Sequence, residues 1–147
     1  MGFKFRYEAL LNYRRHLKEK AELVLAAAQR QLRRNRDKME EYRNAVIEAN
    51  ERFESDLRNK ISSDHVRNYS SYVAALKIKM EFQKIEIANS EKIVAEKMKI
   101  LLEKTRQYNV FEKLKERDQE KWRLSQNIME RKEMNETALV RHGKEFL

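Results

Sequence analysis

Proline and cysteine are absent from the 147-residue sequence, and glycine occurs only twice. Strands and tight turns rely on glycine, proline and Asn-Gly steps, so their scarcity argues against a β-rich domain. Without cysteine there is no disulfide framework or thiolate metal site, which fits a reducing compartment. The longest apolar run, Leu23 to Ala28, is too short to span a bilayer. The first residues lack secretory and myristoylation signals, so we expect a cytoplasmic protein.

The chain is instead rich in charge. Charged residues make up 39% and apolar residues 41% of the sequence, a composition typical of long helices. We therefore expect one coiled-coil domain over residues 1–147. The net charge of +9 favours acidic partners in general.

The longest uninterrupted stretch runs from Val66 to about Arg141. Its apolar residues recur at steps of four and three, the heptad pattern of a coiled coil. They are Tyr69, Val73, Leu76, Met80, Ile87, Val94, Met98 and Leu101. Gln83 and Ser90 take two positions of the same seam, and polar residues there favour selection of one register.

The first helix is predicted over about residues 5–60. Its apolar residues begin in an eleven-residue pattern and continue in heptads: Leu10, Tyr13, Leu17, Ala21, Val24, Ala28 and Leu32, then Asn35, Met39, Tyr42, Val46, Ala49 and Phe53. A turn is predicted at about 61–64, where Ser62 or Ser63 can cap a new helix and Asp64 complements its dipole. The second helix is predicted over about 65–141. Gly143 favours a helix end, with a frayed tail over 142–147.

These elements predict an all-α fold, a long antiparallel two-helix coiled coil forming a hairpin rod. Residue i of the first helix should face roughly residue 124 minus i, as in a hairpin with a short turn. From Trp122 onward the second helix should overhang at the open end as a single helix about 30 Å long.

The sequence offers no group of residues that suggests catalysis. The histidines His16, His65 and His142 share no ligand spacing, and the two glycines are isolated. A two-helix rod has no water-excluding cleft, so we expect no catalytic residue, cofactor or metal. A basic cluster could dock phosphate or an acidic protein, or be a solvated face: Arg30, Arg33, Arg34, Arg36 and Lys38.

A second apolar stripe on the second helix points away from the seam. It comprises Ile78, Phe82, Ile85, Ile93 and Ile100, with Tyr72 on its flank. A hairpin buries one stripe, so this second one requires another partner. The stripe could be covered by self-association, through a third helix or a dimer, or by a different protein.

Four segments of the sequence resemble the FliJ family of the bacterial flagellar type III export apparatus. Their order and spacing carry the resemblance. They are Phe3 to Leu11 with Tyr13, Arg14 and Glu19; Asn68 and Tyr69 with Tyr72 and Leu76; Phe111 to Arg117 with Trp122; and Glu130, Lys132, Met134 to Glu136 and Ala138, where Asn135 replaces a usual Asp.

The resemblance implies a non-enzymatic stalk, needed for flagellum assembly and motility, at the cytoplasmic face of the basal body. Its implied partners are the hexameric export ATPase, the cytoplasmic domain of the export-gate membrane protein, and export chaperones. No nucleic-acid partner is expected, and the protein is expected to associate with the membrane only indirectly. The implied gate-binding residues are Tyr42, Tyr72, Ile78, Phe82, Ile85 and Ile93. The implied ATPase-binding residues are Tyr7, Arg14, Arg15, Lys18, Trp122, Met129 and Glu136.

Two other functions remain open on the residues alone. The isoelectric point of about 9.7 suits a coiled-coil arm that binds nucleic acid. A structural spacer or oligomerisation coiled coil also fits, although it leaves the second stripe without a role.

Overall fold

The computed structural model describes residues 2–145, which form two α-helices: α1 over Glu8–Leu57 and α2 over Ser63–Glu145. The helices pack against each other in antiparallel directions, which confirms the predicted all-α hairpin. The chain divides into two compact units. Unit 1 holds the described residues up to Glu19 and from Glu103 onward, and unit 2 holds Lys20–Leu102. Neither helix, over its described residues, is apolar enough along any stretch to cross a membrane.

Unit 2 is held by a regular heptad seam. On α1 the seam positions, all buried or half-buried, are Ala21, Leu25, Ala28, Leu32, Asn35, Met39, Tyr42, Val46, Ala49 and Phe53. On α2 they are Tyr69, Val73, Leu76, Met80, Gln83, Ile87, Ser90, Val94, Lys97 and Leu101. Steps of three and four alternate throughout both sets, as coiled-coil packing requires.

The register of unit 2 is close to the prediction. Asn35 Nδ2 donates a hydrogen bond to Ser90 Oγ at 2.5 Å, one residue from the predicted alignment. Nearer the turn, the rings of Phe53 and Tyr69 stack with their centroids 4.0 Å apart. The predicted polar seam residues Gln83 and Ser90 are indeed buried.

The turn lies earlier in the chain than predicted. Helix α1 ends at Leu57, and α2 begins at Ser63, so residues 58–62 connect them. Ser62 is the N-cap, because its Oγ accepts a hydrogen bond from the His65 backbone N–H at 3.2 Å. Lys60 adopts a left-handed backbone with φ of 47°, which ends the helix without a glycine.

The seam of unit 1 continues the heptads with a different chemistry. Its α1 positions are Leu11, Arg14 and Lys18, and its α2 positions are Lys104, Tyr108, Phe111, Lys115, Asp118 and Trp122. Glu8 and Lys115 form an ion pair at 3.1 Å, one residue from the predicted register. Arg14 and Lys18 of α1 thus occupy seam positions, for which we expected apolar residues.

The predicted eleven-residue pattern at the start of α1 is right for Ala21, Ala28 and Leu32, which lie in the seam, and wrong for three other residues. Leu10, Tyr13 and Val24 are exposed, whereas Leu11 is fully buried and Leu25 nearly so. The heptads instead pass through Arg14 and Lys18, whose aliphatic stems can lie in a seam while the charged ends reach its edge. On α2 the predicted seam residue Met98 is exposed, and Lys97 takes its place.

Helix α2 extends past the start of α1, as predicted, and past its own predicted end. Every residue from Arg123 to Gly143 is exposed apart from the half-buried Gln126. We call residues 123–143 the overhang. The predicted helix end near Arg141 is wrong, because α2 continues through Gly143 to Glu145. A glycine within a helix costs about 1 kcal/mol relative to alanine without necessarily ending it. Phe146 and Leu147 of the predicted tail lie outside the described residues.

Candidate partner-binding surfaces

The base of the overhang is surrounded by aromatic rings. The ring centroids of Phe3 and Trp122 are 6.2 Å apart, and those of Tyr7 and Phe111 are 6.3 Å apart. Phe5 is buried beside Tyr7. Tyr7 and Trp122, two of the residues implied in ATPase binding, therefore tie the N-terminal segment to α2. These contacts hold Phe3 and Tyr7 against α2 at the base of the overhang.

The three cations implied in ATPase binding lie at and beside the seam of unit 1. Arg14 donates a hydrogen bond to Gln107 Oε1 at 2.7 Å. Arg15 lies 3.9 Å from Glu112, and Lys18 Nζ lies 4.9 Å from the centre of the Tyr108 ring. Tyr108 first, and then Glu112, raise the pKa of Arg15.

The overhang carries two remaining residues implied in ATPase binding, and both are exposed. Met129 has 53% of its surface exposed, and Glu136 is exposed as well. Further large apolar side chains of the overhang are equally open to solvent: Leu124, Ile128, Met134, Leu139 and Val140. At the junction with the seam, Arg123 pairs with Glu120 at 2.6 Å, and this contact lowers the pKa of Glu120.

The second apolar stripe of α2 is open to solvent, as predicted from its spacing. The exposed fractions are 59% for Ile78, 67% for Phe82 and 56% for Ile85. Ile93 and Ile100 are exposed to a lesser degree. We call these five residues the outward stripe. Since exposed apolar residues of this size are grouped along one helix, the stripe is a candidate protein-binding surface.

A shallow groove near the turn was not predicted. It has a volume of about 250 Å³, and its lining includes Ala45, Ala49, Phe53, Tyr69 and Tyr72. The two alanines leave room between the helices, and Tyr72, which also lines the groove, is 52% exposed. In the sequence, the small residues at positions 45 and 49 are the feature from which this groove could have been predicted. At the turn end, His65 Nε2 and Asp56 Oδ2 are 2.7 Å apart.

Tyr42, implied in gate binding, is placed differently from the others of its set. It is half-buried in the heptad seam of unit 2, whereas Tyr72, Ile78, Phe82, Ile85 and Ile93 are exposed.

The basic cluster at Arg30–Lys38 lies on exposed positions, and Arg36 pairs with Glu91 at 3.3 Å. Within the described residues, His, Asp and Glu side chains form no group that could hold a metal ion.

Comparison with known proteins identifies the family. The family model described as Flagellar FliJ protein matches residues 3–145. The chain belongs to the flagellar FliJ protein family. No curated protein sequence matches it. Among solved structures, CT670 from Chlamydia trachomatis, described as a YscO homologue, is similar over 96% of both chains, with 17% identity and a TM-score of 0.56. At that identity the likeness shows a shared fold.

Membership of the FliJ family makes the chain a component of the flagellar type III export machinery. The family consists of non-enzymatic export components. Its match includes both the N-terminal segment and the overhang, so the surfaces described above belong to the family's own span. This membership favours the export function over the nucleic-acid arm and the plain spacer.

Proposed function

We propose that this FliJ-family protein is the central stalk that couples the hexameric export ATPase to the export gate, at the cytoplasmic face of the flagellar basal body. The observation that supports the proposal is that α2 carries two separate unpartnered apolar surfaces. One is the outward stripe in unit 2, and the other is the overhang in unit 1. A protein with two such surfaces can hold two partners at once.

The overhang is the proposed ATPase-binding end. A single helix is marginally stable in water, because most helical stability comes from packing of an apolar face. Insertion into the pore of a hexameric ring would supply that packing to exposed side chains such as Met129 and Ile128. Glu136 offers a charge on the same helix. Trp122 and Tyr7 hold the base of the overhang against the N-terminal segment.

The outward stripe is the proposed gate-binding surface. Ile78, Phe82 and Ile85 lie three and four residues apart, so their side chains form a continuous exposed row. Tyr72 and the groove beside it extend this surface toward the turn. Tyr42, being half-buried, would act by supporting the seam behind the groove rather than by touching the gate. Export chaperones are a third class of partner, to which we assign no surface.

Separation of the two binding activities tests the proposal. Purified protein would be mixed with the hexameric ATPase or with the cytoplasmic domain of the gate. The variant Phe82→Ala/Ile85→Ala should lose gate binding and keep ATPase binding. Removal of residues 122–147 should abolish ATPase binding and leave gate binding intact. Ile47→Ala is a matched control, because Ile47 is also exposed, at 53%, but lies on α1 outside the stripe. Gate binding that survives the stripe variant would contradict the proposed gate surface.

A further inference from the structure

The outward stripe follows a spacing different from that of the seam. Its residues, with Asn89 and Glu96 between them, lie at steps of four, three and four that repeat after eleven residues: Ile78, Phe82, Ile85, Asn89, Ile93, Glu96 and Ile100. An eleven-residue repeat keeps a row of side chains nearly straight along an α-helix. The row is about 33 Å long, since each residue of a helix advances by about 1.5 Å.

This row offers side chains to a partner but no backbone groups. Residues 78–100 lie inside α2, where backbone N–H and C=O groups are bonded within the helix. A strand laid along the row would bury its own backbone groups against apolar side chains without hydrogen bonds. An α-helix bonds its backbone internally and packs apolar side chains at steps of three and four. A helix is therefore the element that fits the row.

Two lysines beside the row indicate the charge of that helix. Lys92 and Lys99 are exposed and seven residues apart, and by helical angle they border the outward stripe on one side. Neither forms an ion pair with a carboxylate among the residues that the structure describes. Lys84, by contrast, pairs with Glu81 at 2.9 Å. Two acidic residues seven apart on the partner helix would match Lys92 and Lys99.

Asn89 and Glu96 interrupt the apolar row, and both are exposed. Between two packed helices, a polar residue in an apolar row selects one register, because other alignments leave it against apolar side chains. The partner helix should therefore present a polar residue to Asn89 and a cation to Glu96. Its remaining contacts with the row should be apolar.

A second copy of the chain fits this surface poorly. It would bring the same lysines and the same net charge of +9, and like charges oppose association. We propose that the outward stripe binds one amphipathic α-helix of the cytoplasmic domain of the gate, whose acidic residues face Lys92 and Lys99. This inference rests on the proposed function, in which the gate is the partner of the stripe.

Photo-crosslinking to the cytoplasmic domain of the gate measures the form of the bound element. The full chain would carry benzoylphenylalanine at position 82 or, separately, at position 93, which lies about 16 Å farther along α2. A helix packed along the row should be crosslinked at two sites about eleven residues apart. An extended segment covers the same distance in about five residues. Sites that close together, or on two separate segments of the gate, would overturn the inference.

Gate affinity measures the charge pairing. Lys92→Glu/Lys99→Glu should weaken gate binding by at least about tenfold, because like charges then face each other. Lys92→Gln/Lys99→Gln should weaken it less and make the affinity less sensitive to salt than in the wild type. The matched control is Lys77→Glu/Lys84→Glu, which changes two exposed lysines, also seven apart, on another side of α2. This control should leave gate affinity unchanged.

The outcomes separate this inference from the proposed function. A wild-type chain that does not bind the gate domain contradicts the proposed function. Gate binding that is lost in Phe82→Ala/Ile85→Ala but unchanged in Lys92→Glu/Lys99→Glu overturns the acidic helix and leaves the gate surface intact. Sedimentation of the free chain tests the second copy: a wild-type dimer that becomes a monomer in Phe82→Ala/Ile85→Ala would also overturn the inference.

Discussion

Asn35 on α1 donates a hydrogen bond from Nδ2 to the Ser90 hydroxyl oxygen on α2, across the seam of unit 2, at 2.5 Å. Gln83 Nε2 donates to the backbone carbonyl of Asn35 at 2.8 Å, so one residue of α1 meets two polar residues of α2. Gln83 and Ser90 are buried. A shift of one helix along the other would place these polar groups against apolar side chains, which costs free energy. The three residues therefore favour a single register.

Substitutions in this polar group should separate stability from register. Asn35→Leu alone should lower the free energy of unfolding by about 1–3 kcal/mol, because Ser90 is left buried without its partner. The triple variant Asn35→Leu/Gln83→Leu/Ser90→Leu should be at least as stable as the wild type, since a fully apolar seam needs no polar pairing. Denaturant unfolding followed by circular dichroism measures both effects.

Loss of register should appear as a broader distance distribution in the triple variant. Spin labels at positions 36 and 91 suit the measurement, because both residues are exposed and their side chains pair at 3.3 Å. The wild type should give one narrow short-distance peak. A triple variant with an equally narrow peak would show that the apolar residues alone set the register.

Stability should distinguish the outward stripe from the seam. Phe82→Ala and Ile85→Ala should each change the free energy of unfolding by less than about 0.5 kcal/mol, because both side chains are exposed. Leu76→Ala, the internal control, should cost about 2 kcal/mol or more, since Leu76 is buried at 6% exposure. Thermal melts of the three variants provide the comparison. A Phe82→Ala protein as unstable as Leu76→Ala would mean that the stripe packs within the protein.

The turn should respond to two substitutions in opposite directions. Lys60→Gly should stabilise the protein by up to about 1 kcal/mol, because a side chain at a left-handed position carries a steric cost that glycine avoids. Ser62→Ala should cost about 1 kcal/mol through loss of the N-cap. Ser63→Ala is the control for the cap, since the His65 N–H donates its hydrogen bond to the Ser62 hydroxyl oxygen. Equal effects of Ser62→Ala and Ser63→Ala would rule out the cap assignment.

Much of this fold could be predicted because apolar residues at heptad spacing are recorded directly in the sequence. Leu76 and Met39 lie where that spacing places them. The prediction was wrong where a charged stem replaced an apolar side chain. Arg14, Lys18 and Lys97 lie in the seam, while Tyr13 and Met98 are exposed. Hydrophobicity alone cannot distinguish a lysine whose stem is buried from one in solvent.

The candidate surfaces were predictable to different degrees. The outward stripe followed from helical angles relative to Leu76, and its exposure is confirmed. The groove depends on the space left between Ala49 and Tyr72, which requires the packing of both helices. The unpaired Arg14 Nε likewise depends on atomic positions that a helical wheel does not contain. The earlier turn could not be placed because Lys60 adopts a conformation more typical of glycine.

The central claim is that one chain uses the overhang for the ATPase and the outward stripe for the gate. Hydrogen exchange of the full chain tests it most directly, measured alone, with the ATPase hexamer and with the cytoplasmic domain of the gate. In the free protein, residues 123–143 should exchange faster than the seam segments of α2, because they lack packing. The ATPase should protect residues 123–143 and leave residues 78–93 unchanged, and the gate domain should do the opposite. Protection of the same segment by both partners, or an overhang unaffected by the ATPase, would contradict the account.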